Sequence, residues 1–406
     1  MALSICDCSL SASRQVNLDE YDALVIGAGF AGAVAARELS ERKGMRVAVL
    51  EKRPHIAGNA YDHLDEQGVL IHEYGPHIFH STSERVFTYL SRFTQWRAYQ
   101  HEVLASINGA FIPVPFNLHS IDLSFDTEKA ASLKSSLIEH FGLGVKVPII
   151  ELRKLEDPHL RALAEYVYEN VFLHYTMKQW GLTPEEIDPS VTARVPVLVD
   201  WDNRYFQDPY QGIPLPSYTS LFEKLLDYPG ITVYTNLNAC QILSFKESQE
   251  PGGGFTAIEV CGIPYKGIVI YTGALDELSS NRFGILPYRS LDFSYRHYQE
   301  NKVQPCGTVN FTVSEDYTRT SEYTWLTGQQ IQASTVAEEY PRPYTDPDTQ
   351  IPYYPIIDPK NLEYYKRYLA LYENLDNFFV LGRLAEYRYY NMDQIALRAL
   401  ELIDDI

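Results

Sequence analysis

Gly27, Gly29 and Gly32 form a G-x-G-x-x-G pattern, and Glu51 follows 19 positions after Gly32. Each position has a physical use. Gly27 permits a tight turn, Gly29 lets a pyrophosphate approach the backbone, and Gly32 lets a helix pack close to a sheet. Phe30 and Ala31 lead into the helix that follows, whose free N–H groups and positive pole at its start favour phosphate. A carboxylate at the distance of Glu51 can accept hydrogen bonds from a ribose diol. The chemistry implied is the binding of an adenine dinucleotide. Lys52, Arg53 and the further turn Gly58-Asn59-Ala60 fit a chain that keeps following FAD, whereas composition alone does not separate FAD from NAD.

Other candidates stand farther along. His77 and His80 flank an apolar pair after Gly75-Pro76. They fit contacts to a flavin ring or plain loop hydrogen bonds. Arg194 and Arg289 lie in apolar and aromatic surroundings, where a guanidinium needs a partner. A bidentate diphosphate suits that geometry, and so does a structural ion pair. Phe172, Tyr175 and Trp180 can stack a nucleobase or fill a core. Arg383, after Gly382, can neutralise a pyrophosphate or cap a helix. No pattern for a hydrolytic triad, a P-loop or a metal site is present.

Elements must position these residues. Tyr21 to Ile26 and Arg46 to Leu50 read as strands around a helix from Ala33 to Arg42. Residues 99–116 alternate around Asn108-Gly109, a hairpin signal. Thr127 to Phe141 and Leu160 to Phe172 have helical spacing. Tyr218 to Tyr228 is a helix, and Ile231 to Tyr234 and Gly267 to Tyr271 are strands. Leu291 to Tyr298, Gly307 to Val313 and Ser321 to Leu326 read as strands. A strand from Phe378 to Leu381 and a helix from Asp393 to Ile403 end the chain.

The fold class expected is α/β: a discontinuous FAD-binding Rossmann-type domain (20–98, 219–284 and 376–406), a helical insert (119–189) with a mobile lid loop, and an antiparallel sheet or substrate domain (99–118, 190–218 and 285–375). Residues 1–19 are expected to be a disordered leader.

A length of 406 residues favours two or three domains. The formal charge of −19, with no polybasic run, argues against a nucleic-acid partner. No apolar run is long enough to span a bilayer. Five scattered cysteines read as reduced thiols, and with no secretory signal a cytoplasmic location is expected.

The stretches GAGFAGAVAARELS, EKRPHIAGNAYD, IHEYGPHIFH, PFNLHS, YTMKQWG, RVPV, RYFQDPYQGIP, YTGALDE, RFGILPYRSL, VNFT with EDYTR, and LGRLAEYRYYNMDQ occur in order over residues 21–404. With them the chain resembles the prokaryotic UDP-galactopyranose mutases. The resemblance implies a FAD enzyme that interconverts UDP-galactopyranose and UDP-galactofuranose. Reduced flavin N5 would attack the anomeric carbon through a flavin–sugar iminium, with UDP retained and recaptured. Arg194 and Arg289 would clamp the diphosphate, with Tyr205, Tyr317 and Tyr389 hydrogen-bonded to it. Trp180 would fall on the lid loop, and Phe172 and Tyr175, with Thr176 beside them, on the uridine platform. Asn117 would lie near the uracil or sugar. His77 and His80 would meet flavin and sugar. Ile78, Gly382, Arg383, Tyr390, Asn391 and Met392 would lie on the cofactor side, Arg383 on the substrate phosphate side as well and Asn391 near the sugar hydroxyls as well. Many members carry Asp at the position of Asn391, and glycine at that of Ala57. An external reductant such as NAD(P)H and a homodimer are also expected. Two competing readings keep the same cofactor fold: a FAD-dependent amine or sugar oxidoreductase, and a non-catalytic protein like a GDP-dissociation inhibitor.

Overall fold

A computed structural model describes residues 3–8, 17–181, 196–250, 253–313 and 315–406. Its organising element is a six-stranded parallel sheet. The strands run in the order Ile5–Asp7, Ile231–Thr235, Val47–Leu50, Ala23–Ile26, Ile268–Tyr271 and Phe378–Val380. Ala23–Ile26 and Val47–Leu50 are buried at every position. Both faces of a parallel sheet are covered, so these strands are continuous apolar runs without alternation. Helices Phe30–Lys43, Tyr218–Leu226 and Met392–Asp405 pack on one face. Helix Pro359–Leu369 and a small antiparallel sheet (Leu243–Glu247, Phe255–Val260 and Ile263–Tyr265) cover the other. Segments from both ends and the middle of the chain thus build one sheet.

The first strand corrects the expectation of a disordered leader. Ile5 to Asp7 pair in parallel with Val233 to Thr235 and cover what would otherwise be the open edge of the sheet. Three residues are too few to show a periodicity; the pairing exists only because a partner more than 200 residues away supplies it.

A second sheet has seven strands, in the order Tyr354–Pro355, Tyr288–Tyr298, Ser334–Pro343, Arg319–Glu322, Thr308–Phe311, Val103–Ile107 and Ala110–Val114. The last two form the expected hairpin, with Asn108 and Gly109 both at positive φ. The sheet is not wholly antiparallel, because Thr308–Phe311 runs parallel to Val103–Ile107. No short turn joins those two strands, so nothing forces them to be antiparallel. The strand expected over Ser321 to Leu326 ends at Glu322. Helix Tyr323–Thr327 follows, with Tyr323 and Leu326 buried and Gly328 as its left-handed cap. Their spacing of three places both on one helical face.

A three-stranded sheet, Phe79–Ser81, Tyr210–Leu215 and Gln95–Ala98, fastens the two larger units together. Helices Leu118–Ser124, Thr127–Phe141 and Pro158–Val167 form the insert, capped by the side chains of Asn117, Asp126 and Asp157. They pack with the hairpin around Val114, Phe116, Leu137 and Leu163. Pro158–Val167 continues through a π-helical stretch, Tyr168–Leu173, into helix His174–Trp180. Among the described residues no helix is long and apolar enough to cross a membrane.

Candidate functional site: a dinucleotide cleft and its aromatic wall

A cleft of about 860 Å³ opens above the carboxyl ends of the parallel strands. Gly27, Gly29, Phe30, Ala31, Glu51, Lys52, Arg53, Gly58, Asn59, Ala60, His77, Gly382, Arg383, Tyr390, Asn391 and Met392 all line it. They come from far-separated stretches of sequence. Gly32 and Ile78, of the residues expected on the cofactor side, do not line it. Gly32 acts from behind: a Cβ there would stand 1.9 Å from the Gly27 carbonyl oxygen. Ile78 is buried in the core beneath the second sheet.

The cleft fits a dinucleotide on two structural grounds. First, Gly29 and Gly58 face each other, and a Cβ on Gly29 would come 3.6 Å from the Gly58 Cα, so bare backbone forms this part of the wall. Ala57 adopts a left-handed conformation, φ 74°, at the entry to this turn, where glycine would be less strained. Second, Arg53 presents a buried Nη1 with no hydrogen-bond partner. Its Nη2 donates to Asn59 Oδ1 at 3.0 Å, and its guanidinium lies 4.2 Å from the Tyr74 ring centre. A charged donor left open in such a place is a ready contact for a polar ligand.

Glu51 is 5% exposed. Its two carboxylate oxygens accept from the N–H groups of Ala28 and Arg53, both at 2.9 Å. These bonds hold the glycine loop to the next strand and leave lone pairs for a ribose diol. Lys52 pairs with Glu277 at 2.9 Å on the cleft wall. The Nδ1–H of His77 donates to the Gly75 carbonyl at 2.8 Å, which leaves Nε2 as an acceptor when the ring is neutral. Burial, then the neighbouring His72, pushes the His77 imidazole down to about 4, so it is neutral at pH 7. Helix Met392–Asp405 points its N-terminus at the cleft, and the Asn391 N–H is taken by Gln394 Oε1 at 2.9 Å.

Three stretches of the wall lay outside the sequence expectation for the cofactor. They are Leu237 to Cys240, the Thr272-Gly273 turn, and the loop from Pro347 to Tyr353. Thr272-Gly273 carried a signal, since it ends a strand that returns to the dinucleotide sheet. The others have no residue type that announces a ligand; only the sheet order brings them to the cleft.

Arg383 joins the cleft to a second constellation. Its Nη2 donates to the Tyr390 carbonyl at 2.6 Å. Its guanidinium lies 5.1 Å from the Tyr354 ring centre and 4.9 Å from that of Tyr389. Tyr354 and Tyr389 stack at 5.6 Å and 7°, and Trp180 meets Tyr354 at 5.9 Å. Arg289 is 5% exposed. It donates from Nε to the Gln179 carbonyl at 2.8 Å and from Nη2 to the Lys178 carbonyl at 3.0 Å, at the C-terminus of the helix that ends in Trp180. Its ligands there are carbonyls, and burial lowers its pKa. Tyr175 lies beside Arg319, which pairs with the buried Glu339 at 3.4 Å. Tyr317 packs edge-on against Phe311, and Tyr205 against Phe206.

Several expected contacts are placed elsewhere. Phe172 is 5% exposed, inside the helical core against Tyr168, because the π-helical stretch turns it inward. Thr176, on the following turn, is buried as well. Asn117 is fully buried; it caps a helix and donates from Nδ2 to Asp202 and Asn203 at 3.0 and 2.9 Å. It holds the loop before Tyr205. His80 pairs with Asp208 at 3.0 Å and stacks on Phe206 at 3.6 Å, outside the cleft. Arg194 and the lid loop after Gly181 lie outside the described residues.

Comparison with known proteins agrees with this geometry. A model described as UDP-galactopyranose mutase matches residues 170–389, and an NAD(P)-binding Rossmann-like model matches residues 25–93. A probable UDP-galactopyranose mutase of Klebsiella pneumoniae is 33% identical over 391 residues, 96% of this chain and 95% of the relative. The chain belongs to the UDP-galactopyranose mutase family. The mutase family is also reached through a dTDP-fucopyranose mutase of Escherichia coli, 33% identical over 93% of this chain and 96% of the relative. A solved structure of reduced UDP-galactopyranose mutase superposes with a TM-score of 0.65 at 15% identity, covering 95% of each chain, so the mutase fold is shared.

Proposed function

We propose that this chain interconverts UDP-galactopyranose and UDP-galactofuranose with bound FAD in its reduced form. The observation that carries the reading is the position of Arg383. It lines the dinucleotide cleft and also faces the Tyr354 and Tyr389 rings that lead to Trp180. One arginine thus connects the cofactor's surroundings with Tyr389 and, through Tyr354, with Trp180, the two residues assigned to the sugar nucleotide.

Gly29, Gly58 and the N-terminus of helix Phe30–Lys43 would hold the pyrophosphate, and Glu51 the ribose. Arg53, His77 and Tyr390 would meet the ring portion. A reduced flavin held there would supply a nucleophilic nitrogen toward the anomeric carbon, with no net oxidation of the sugar. The remaining work falls to the protein. Arg289, with Arg194, would hold the diphosphate before and after it leaves, and Tyr317 and Tyr389 would donate hydrogen bonds to it. Neutral His77 contributes no positive charge beside the flavin. Keeping UDP in place makes its return effectively intramolecular, an advantage worth about 7 kcal/mol or more in well-oriented systems.

Residues 20–98, 219–284 and 376–406 would hold the cofactor, residues 119–189 would carry the lid, and residues 99–118, 190–218 and 285–375 would supply Arg194, Arg289 and Tyr317. An external reductant such as NAD(P)H, a homodimer and a cytoplasmic location complete the proposal. The relative that acts on dTDP-fucopyranose supports a second substrate reading, since its identity of 33% equals that of the Klebsiella relative. The test is incubation of flavin-loaded, dithionite-reduced protein with UDP-galactofuranose and with dTDP-fucofuranose, followed by chromatography. Faster conversion of the UDP sugar supports the first reading, faster conversion of the dTDP sugar the second, and conversion of neither defeats both.

A further inference from the structure

The helix His174–Trp180 carries one cation that the proposed mechanism does not use. Lys178 is in its last turn, half-buried. Its ammonium donates to three backbone carbonyls: Phe311, Glu315 at 2.9 Å and Tyr317 at 3.2 Å. An ammonium has three N–H donors, so all of them are committed to carbonyls of one neighbouring stretch. Burial lowers the Lys178 pKa, with the Glu315 and Asp316 carboxylates acting the other way.

The partners define what the contact does. Phe311 ends the strand Thr308–Phe311, and its ring meets that of Tyr317 at 4.8 Å. Tyr317 also meets Tyr340 at 5.7 Å. On the other side of the same lysine, its own carbonyl accepts from Arg289 Nη2 at 3.0 Å. Lys178 therefore bridges, through hydrogen bonds at its backbone and its side chain, two groups assigned to the diphosphate. Its backbone is held by Arg289, and its side chain holds the backbone of Tyr317. A neutral residue would leave three part-buried carbonyls without their donor and free the Tyr317 segment from the helix.

We infer that Lys178 is a positioning residue for nucleotide-sugar binding: it sets the distance between Arg289 and Tyr317 by tying the end of helix His174–Trp180 to the Phe311 and Tyr317 carbonyls. This rests on the reading of Tyr317 and Arg289 as diphosphate contacts. Because the effect passes through geometry and not through contact with the reacting atoms, it belongs to binding more than to turnover.

The experiment uses flavin-loaded full-length protein, with UDP as the probe. Lys178→Met keeps length and removes the donors; Lys178→Arg keeps a cation with several donors. The expected result is a UDP dissociation constant and a KM for UDP-galactofuranose raised about tenfold or more in Lys178→Met, with a smaller change in kcat. Flavin content stays at the level of the unmodified protein. Lys178→Arg recovers most of the binding. In a Tyr317→Phe background the effect of Lys178→Met shrinks, since both changes act on one contact. UDP binding unchanged in Lys178→Met overturns the inference. So does a loss of melting temperature and flavin in Lys178→Met without a binding defect in the protein that remains loaded, or an undiminished effect beside Tyr317→Phe. Failure of the unmodified protein to bind UDP would instead defeat the reading on which the inference rests.

Discussion

The Arg383 guanidinium lies 4.9 Å from the centre of the Tyr389 ring. Arg383 also donates to the carbonyls of Tyr390 and Tyr353, at 2.6 and 3.3 Å, so it is fixed from both the segment before the last helix and the loop over the cleft. Arg383→Met keeps the bulk and loses every one of these contacts. Flavin occupancy, read as the ratio of visible to 280 nm absorbance, should fall sharply, since a hydrogen bond from a charged group is worth about 1.5–3 kcal/mol. Full occupancy in that variant would show that Arg383 does not face the cofactor.

The glycines of the first turn should separate folding from binding. A Cβ on Gly32 would meet the Gly27 carbonyl oxygen at 1.9 Å, which is backbone and cannot swing away. Gly32→Ala should therefore lose several kcal/mol of stability, in the manner of overpacked cores, which lose about 1–3 kcal/mol even when side chains can adjust. Gly29→Ala meets nothing closer than 3.6 Å in the protein itself. It should fold, with a thermal melt of the flavin-free protein near that of the parent, and bind flavin poorly. Paired melts and absorbance spectra check both outcomes.

Arg289 is buried on carbonyls at the helix end. Arg289→Ala should retain flavin and lose UDP affinity by about 2–5 kcal/mol, the range for truncating one member of a buried charged contact. Calorimetric titration with UDP decides it. Loss of flavin with UDP binding intact would put Arg289 on the wrong ligand.

Buried His72 and His101 and the half-buried His77 give a pH dependence of stability. Burial depresses His72 to about 3, His77 to about 4 and His101 to about 3, whereas a histidine in the unfolded chain titrates near 6.5. Between these values the unfolded chain binds protons that the folded chain does not. Their contribution is therefore complete above about pH 7 and is lost as pH falls from about 6.5 towards about 4 for His77 and about 3 for His72 and His101. The buried carboxyls of Asp62, Asp276 and Glu339 are raised by burial and act in the opposite sense. The difference between parent and His101→Gln isolates one histidine. Replacement should reduce the slope of unfolding free energy against pH by up to one proton, about 1.4 kcal/mol per pH unit, between pH 4.5 and 6. Denaturant melts across that range measure it, and parallel curves would contradict the assignment.

The cofactor half of the site was legible because its requirements are local. Gly27, Gly29, Gly32 and Glu51 lie within one strand–helix–strand unit, so their spacing reports their geometry directly. The residues assigned to the substrate rest on resemblance, and tertiary packing decided where their side chains lie. Nothing in the residue type of Phe172 shows that a π-helical stretch turns it inward, or that Asn117 spends its amide on a helix cap and the Asp202 carbonyl. The strand Ile5–Asp7 and the parallel pairing of Thr308–Phe311 with Val103–Ile107 depend on partners far away in sequence. Short elements of that kind carry no periodicity of their own. The loop from Pro347 to Tyr353 reaches the cleft for the same reason: strand Ser334–Pro343 delivers it there.

The most direct measurement is the redox dependence of sugar isomerisation by the flavin-loaded protein. UDP-galactofuranose is incubated with the oxidised protein and with protein reduced by dithionite or NAD(P)H, and the nucleotide sugars are resolved by chromatography. The account predicts that the reduced protein forms UDP-galactopyranose with no consumption of reductant per turnover, and that the oxidised protein is almost inactive. Equal rates in the two states, or one equivalent of reductant consumed per sugar converted, would contradict it.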